Sequence, residues 1–173
     1  MAILGPTNRV VFAHGKESGP WGRKILALAE VARAAGAQVE SPDYSAITDP
    51  EKRLEKLLAL NLEADKLILV GSSMGGYVSA LAAKPLAADG LFLLAPAFYL
   101  PGYPRQPEVS GIDVELVHGW NDDVVPVENS LRFAQQCQAT THFLNSGHRL
   151  DDVTEQLCQL FGHFLDRVLE LPA

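Results

Sequence analysis

Short apolar runs alternate with longer segments in which apolar residues recur at helical spacing, and this alternation constrains the fold more than any other feature of the chain. The runs are RVVFAH, AQVESP, KLILVGS, GLFLLAP, VELVHG and THFLNS. Most are continuously apolar, as strands buried on both faces should be. Between them lie RKILALAEVARAAG, DPEKRLEKLLALNLEA, MGGYVSALAAKPLA, ENSLRFAQQCQA and DVTEQLCQLFGHFLDRVLEL. This order predicts a mostly parallel, doubly wound sheet of about six strands between two helical layers, a three-layer α/β/α sandwich. Gly36 is placed to end the first helix, and Asp49 to cap the second with Pro50 at its first position. The 173 residues hold no repeat and no linker, so one domain over residues 1–173 is expected. One stretch breaks the rhythm: APAFYLPGYPRQPEVSG, rich in proline and aromatics, which reads as a surface loop or a very short cap.

A net charge of −7 without any cluster of Lys and Arg argues against nucleic acid or an anionic membrane as the main partner. A small molecule is expected instead. No apolar run reaches the length of a membrane span, and the opening MAILGPTNRVVFAHG lacks the basic region and apolar stretch of an export signal. A cytoplasmic protein is therefore expected. Cys137 and Cys158 belong to no CxxC pattern and read as reduced, mostly buried thiols. No His-x-x-x-His or comparable ligand spacing occurs, so no metal or other cofactor is expected. The oligomeric state is left open.

In open parallel sheets ligands gather at the carboxyl ends of the strands. Read in order, those ends carry His14-Gly15-Lys16, Asp43-Tyr44, Gly71 to Gly75, Pro96-Ala97-Phe98, His118-Gly119 followed by WNDD, and Ser146-Gly147-His148. The pattern G-x-S-x-G fits one register only, Gly71-Ser72-Ser73-Met74-Gly75, which makes Ser73 rather than Ser72 the candidate nucleophile. A serine at the apex of a tight strand-to-helix turn needs glycines two residues to either side for clearance, and the helix behind it favours developing negative charge. The bland reading is a Gly-rich turn that lets strand and helix pack closely.

A serine hydroxyl needs a neighbouring base, and that base needs an orienting acid. Among the five histidines, His163 falls within the last helix and His142 within the last strand. His14 and His118 precede glycines at strand ends, where an imidazole often braces a loop. His148 alone lies in a polar turn between the last strand and the last helix, and it is the candidate base. For the acid, Asp122 and Asp123 follow the fifth strand. Adjacent side chains in a turn diverge, and the spacing from Gly119 with the apolar VVP that follows favours Asp122. Asp43 is a more distant alternative.

With these residues in hand, the sequence resembles the α/β-hydrolase superfamily, most closely the small lidless bacterial serine esterases of YqiA-like and dienelactone-hydrolase-like kind. The resemblance rests on FAHGKESG as oxyanion loop, GSSMGG as nucleophile elbow, HGWNDDVVP as acid loop and SGHRL as histidine loop, all in family order. It implies a minimal fold with Ser73 as nucleophile, Asp122 as acid and His148 as base. It also implies an oxyanion hole built from the backbone N–H groups of Met74 and Lys16. The stretch APAFYLPGYPRQPEVSG is too short for a full helical lid, and a dienelactone hydrolase proper carries cysteine where Ser73 stands. The expected reaction is hydrolysis of small acyl esters through an acyl-enzyme. His14, Gly15, Trp21, Phe98, Tyr99, Tyr103 and Trp120 are candidates to line the substrate site. The alternatives are a non-catalytic or weakly catalytic binding protein on the same scaffold, or a thioesterase or peptidase with the same triad.

Overall fold

The structure is a computed structural model and describes residues 7–172. The first six residues, read above as free of an export signal, lie outside the described residues. The strands are β1 (Asn8–Ala13), β2 (Gln38–Glu40), β3 (Lys66–Ser72), β4 (Gly90–Leu94), β5 (Asp113–Gly119) and β6 (Thr140–Leu144). The α-helices are α1 (Arg23–Ala34), α2 (Pro50–Leu58), α3 (Met74–Ala82), α4 (Val127–Cys137) and α5 (Thr154–Val168). The strands form one sheet in the order β2-β1-β3-β4-β5-β6, with every neighbouring pair parallel.

Because strand side chains alternate between faces, each of the inner strands β1, β3, β4 and β5 feeds two cores. Val10, Phe12, Ile68, Val70, Phe92, Leu94 and Val117 pack on one side with α1 and α5, through Leu28, Ala32, Leu157, Phe161 and Phe164. Val11, Leu67, Leu69, Leu91, Leu93, Val114 and Leu116 pack on the other with α2, α3 and α4, through Leu57, Tyr77, Val78 and Phe133. Burying each such Leu, Val or Phe stabilises the fold by roughly 1.5–3 kcal/mol, which is why the runs are unbroken rather than alternating.

Asp49 caps α2 by accepting from the Glu51 N–H at 3.0 Å, with Pro50 at the first helical position. This helix stops at Leu58, before the end of the periodic segment. Leu60 and Leu62 instead pack under the sheet as the chain returns to start β3. The third helix ends at Ala82, ahead of Pro85, which has no N–H to continue it. Both cysteines are free thiols, and they are half-buried rather than buried. Among the described residues no helix is long and apolar enough to cross a membrane.

From β1 the sheet grows one way to β2 and the other way to β3. The loops after β1 and β3 therefore diverge, and the crevice between them is where an open parallel sheet binds its ligand.

Candidate active site

One residue, Ser73, joins the end of β3 to the start of α3. Its backbone sits at φ 52° and ψ −115°, a region that costs a non-glycine residue about 1–3 kcal/mol. The surroundings hold it there. Its N–H donates to Leu94 O at 2.9 Å, and its carbonyl accepts from Gly76 at 3.0 Å, Tyr77 at 3.2 Å and Ala97 at 3.0 Å. The helix is also pressed against the end of β1, since a Cβ on Gly75 would lie 1.8 Å from Ala13 O. As the first residue of α3, Met74 has an N–H without an acceptor inside the helix, at its positive end.

The acid and histidine loops extend the pairing of β5 with β6. Trp120 donates to Leu144 O at 2.9 Å and Asn121 to Ser146 O at 3.0 Å. A Cβ on Gly119 would lie 2.2 Å from Ser146 O, so only glycine allows this approach. The histidine loop is pinned by the Ser146 hydroxyl on Asp152 and by Lys24 of α1, whose ammonium donates to Arg149 O at 2.5 Å. Burial pushes the Lys24 amine down.

These contacts bring Asp122, His148 and Ser73 into one chain. His148 Nδ1 lies 2.7 Å from Asp122 Oδ2, and His148 Nε2 lies 3.0 Å from Ser73 Oγ. An ionised carboxylate only accepts, so the Nδ1 carries the proton and the Nε2 is free to accept from the serine hydroxyl. Asp122 Oδ1 accepts from the N–H groups of Val124 at 2.8 Å and Val125 at 2.7 Å. Asp122 Oδ2 also lies 3.0 Å from His118 Nε2, and the Asp122 side chain is wholly shielded from solvent. Burial alone would raise its pKa. The donors His118, His148, Val125 and Val124 outweigh that and hold the carboxyl well below the usual carboxylate range. Asp123 faces solvent, and Asp43 is exposed beside His14.

His118 is more than the loop brace suggested by its position. Its Nε2–H is shared between Asp122 and the Val125 carbonyl at 2.9 Å, and its Nδ1 accepts from the Ser130 hydroxyl at 2.7 Å. The available signal was the spacing of four between His118 and Asp122 across a Gly-containing turn. The cap on its far side, Ser130 of α4, had no local signature.

On the other side of the crevice, Gly15 rests on the elbow: a Cβ there would be 3.6 Å from that of Ser73. Lys16 follows on an exposed turn. His14 is fully buried, its Nδ1–H donating to Gly15 O at 2.7 Å and its Nε2 accepting from the Tyr44 N–H at 2.9 Å. Burial lowers its pKa.

Several expected pocket residues are committed elsewhere. His14 cannot line an open site because both ring nitrogens serve the backbone. Phe98 is also fully buried, its ring tilted against that of Phe133 with centroids 4.5 Å apart. Tyr99 leans on α4, its ring under Arg132 at 3.9 Å and its hydroxyl donating to Gln136 at 3.0 Å. Tyr103 packs edge-on against Tyr77 of α3 at 5.2 Å. The Pro-rich loop is thus tied to α2, α3 and α4, with Arg105 reaching Glu51 at 2.7 Å and the Tyr77 hydroxyl at 3.0 Å. Trp21 and Trp120 are exposed, the first under Arg33 and the second against Phe143.

The model of the uncharacterised protein family UPF0227 matches residues 9–102, which run from β1 through the elbow. No curated protein matches the chain by sequence. Among solved structures, a protein of the α/β-hydrolase superfamily from Xanthomonas campestris pv. campestris superposes with a TM-score of 0.86 at 29% identity, over 92% of this chain and 98% of its own. Est1E from Butyrivibrio proteoclasticus, solved with ferulic acid bound, superposes at 0.76 with 19% identity, over 95% and 90%. A serine hydrolase without a lid from Xanthomonas campestris superposes at 0.71 with 21% identity, over 97% and 84%. The last two are likenesses of fold.

Proposed function

The chain belongs to the uncharacterised protein family UPF0227 and has the α/β-hydrolase fold, and on that premise we propose that it is a serine hydrolase cleaving small acyl esters. The observation that carries the reading is the hydrogen-bonded chain from Ser73 Oγ through His148 to a buried, ionised Asp122, beginning at a strained elbow. Strain at a single non-glycine residue between strand and helix is the form a nucleophile elbow takes.

Ser73 Oγ attacks the ester carbonyl while His148 Nε2 takes its proton. Asp122 stabilises the imidazolium without taking up a proton itself. The carbonyl oxygen, now an oxyanion, is met by the N–H of Met74 and by the N–H of Lys16. Each such donor is worth roughly 10²–10³ in rate. Collapse of the tetrahedral intermediate passes the proton from His148 to the leaving alcohol and leaves an acyl-serine. His148 then takes a proton from water, whose hydroxide attacks the acyl carbon, and returns that proton to Ser73 as the acid departs. The two free thiols support a reducing compartment, the cytoplasm, as the setting.

The test is hydrolysis of p-nitrophenyl acetate by the wild type and by Ser73→Ala and His148→Ala. Removing either member of the unit is expected to cost roughly 10⁵–10⁶ in kcat. A wild type without turnover, or a Ser73→Ala variant as fast as the wild type, would defeat the reading.

A further inference from the structure

Arg53 projects from α2 into the interior beside Leu54 and Leu57, and it is 1% exposed. A buried guanidinium persists only where partners replace its water. Its hydrogen-bond acceptors among the described residues are all backbone carbonyls. Nε donates to Ile47 O at 2.7 Å, and Nη1 donates to His14 O at 2.8 Å and to Gly15 O at 3.3 Å. The Tyr44 ring lies against the guanidinium, 5.5 Å from its carbon. Two of the three carbonyls it holds, those of His14 and Gly15, therefore belong to the loop after β1 that rests on Ser73.

The same Gly15 carbonyl also accepts from His14 Nδ1 at 2.7 Å and from the Ser18 hydroxyl at 3.4 Å. Three donors on one carbonyl fix a peptide plane. In a trans peptide the C=O and the following N–H point in opposite directions. Drawing His14 O and Gly15 O toward Arg53 thus turns the N–H groups of Gly15 and Lys16 away from it. A cation on the carbonyl also polarises the peptide and makes its N–H a stronger donor.

We propose that Arg53 is a positioning residue for the oxyanion hole, aiming and strengthening the Lys16 N–H from behind through the carbonyls of His14 and Gly15. The inference rests on the serine-hydrolase reading, because only a reaction that builds charge on oxygen uses that N–H. Its effect then falls on the transition state and not on substrate binding.

The test compares Arg53→Met and Arg53→Lys with the wild type. kcat and KM for p-nitrophenyl acetate, inhibition by phenylboronic acid, and thermal unfolding are measured for each. The boronate adduct on Ser73 is tetrahedral and sets an oxygen in the same hole. With Arg53→Met, kcat is expected to fall about tenfold to hundredfold with KM within about threefold, a misaimed donor costing less than a deleted one. Boronate inhibition should weaken by a similar factor. Arg53→Lys should recover part of both losses, since an ammonium can still serve one carbonyl. A folded Arg53→Met variant with unchanged kcat, or with a loss confined to KM, would overturn the proposal. So would unfolding of both variants, which would make Arg53 a residue of stability alone. If the wild type does not hydrolyse the ester, or Ser73→Ala still does, the serine-hydrolase reading itself has failed.

Discussion

Replacing Gly75 by alanine tests how closely the elbow is built. The added Cβ would stand 1.8 Å from Ala13 O, 2.4 Å from Ala13 C and 2.8 Å from His14 O. An ordinary C···O contact begins near ~3.3 Å, so the gap must open by about 1.5 Å. All three obstacles are backbone atoms in or beside a central strand, and none can swing aside as a side chain would. The first turn of α3 has to retreat, taking the Met74 N–H and Ser73 away from the loop after β1. Overpacking of this kind costs roughly 1–3 kcal/mol, or about 2–12 °C in Tm for a chain of this size. A misplacement of about 1 Å at reacting groups costs on the order of 10²-fold in rate. The assay is thermal unfolding together with ester turnover, with Gly162→Ala as control. A Cβ at Gly162 meets nothing nearer than Val31 Cγ1 at 3.8 Å, so that helical change should raise stability by up to about 1 kcal/mol and leave turnover alone. A Gly75→Ala variant with wild-type Tm and turnover would refute the reasoning.

Other substitutions separate the remaining parts of the site. In Asp122→Asn the amide oxygen is drawn to the Val124 and Val125 N–H groups, leaving an NH₂ facing two imidazole N–H groups. His148 must then switch tautomer, and kcat should fall by roughly 10³–10⁴; a fall under tenfold in steady-state assays counts against the assignment. Because the Asp122 pKa is depressed on folding, its contribution to stability is complete above the unfolded carboxylate value and disappears as pH falls through the folded one. Urea midpoints of the wild type should therefore drop more steeply than those of Asp122→Asn in the acid range, the two curves converging; parallel curves would contradict this. Ser73→Gly should be more stable than Ser73→Ala by about 1 kcal/mol, reversing the usual order, because only glycine relieves the positive φ. Urea titration of both decides it. His14 should titrate below its ordinary value as the Nδ1–H tautomer, and a long-range ¹⁵N NMR spectrum showing Nε2–H would contradict the partners described.

The parallel sheet was legible because both faces of the inner strands β1, β3, β4 and β5 are buried, which writes those strands as unbroken apolar runs. The loops bearing Ser73 and Asp122 follow two such runs, and His148 follows the half-buried edge strand β6 at the same end of the sheet. What could not be read depends on approach between distant segments. Arg53 carries no mark of burial on α2, because two of its three acceptors are carbonyls of a loop 38 and 39 positions away. The aromatic residues of the Pro-rich loop had the composition of a pocket wall. Which face they turn to is set by Phe133, Arg132 and Gln136 of α4, and Phe98 and Tyr99 went to that helix. The cysteines ended half-buried because a helical stripe has edges, and the periodicity does not say which apolar residues stand on them.

The central claim is that Ser73 is a nucleophile activated by His148, and covalent labelling tests it most directly. The wild type is incubated with a fluorophosphonate at neutral pH and its intact mass is followed, with the adduct then mapped by peptide sequencing. One phosphonyl group per chain, on Ser73, with none on Ser73→Ala and far slower labelling of His148→Ala, is the predicted result. An unlabelled wild type, or an adduct that forms equally on Ser73→Ala, would contradict the account.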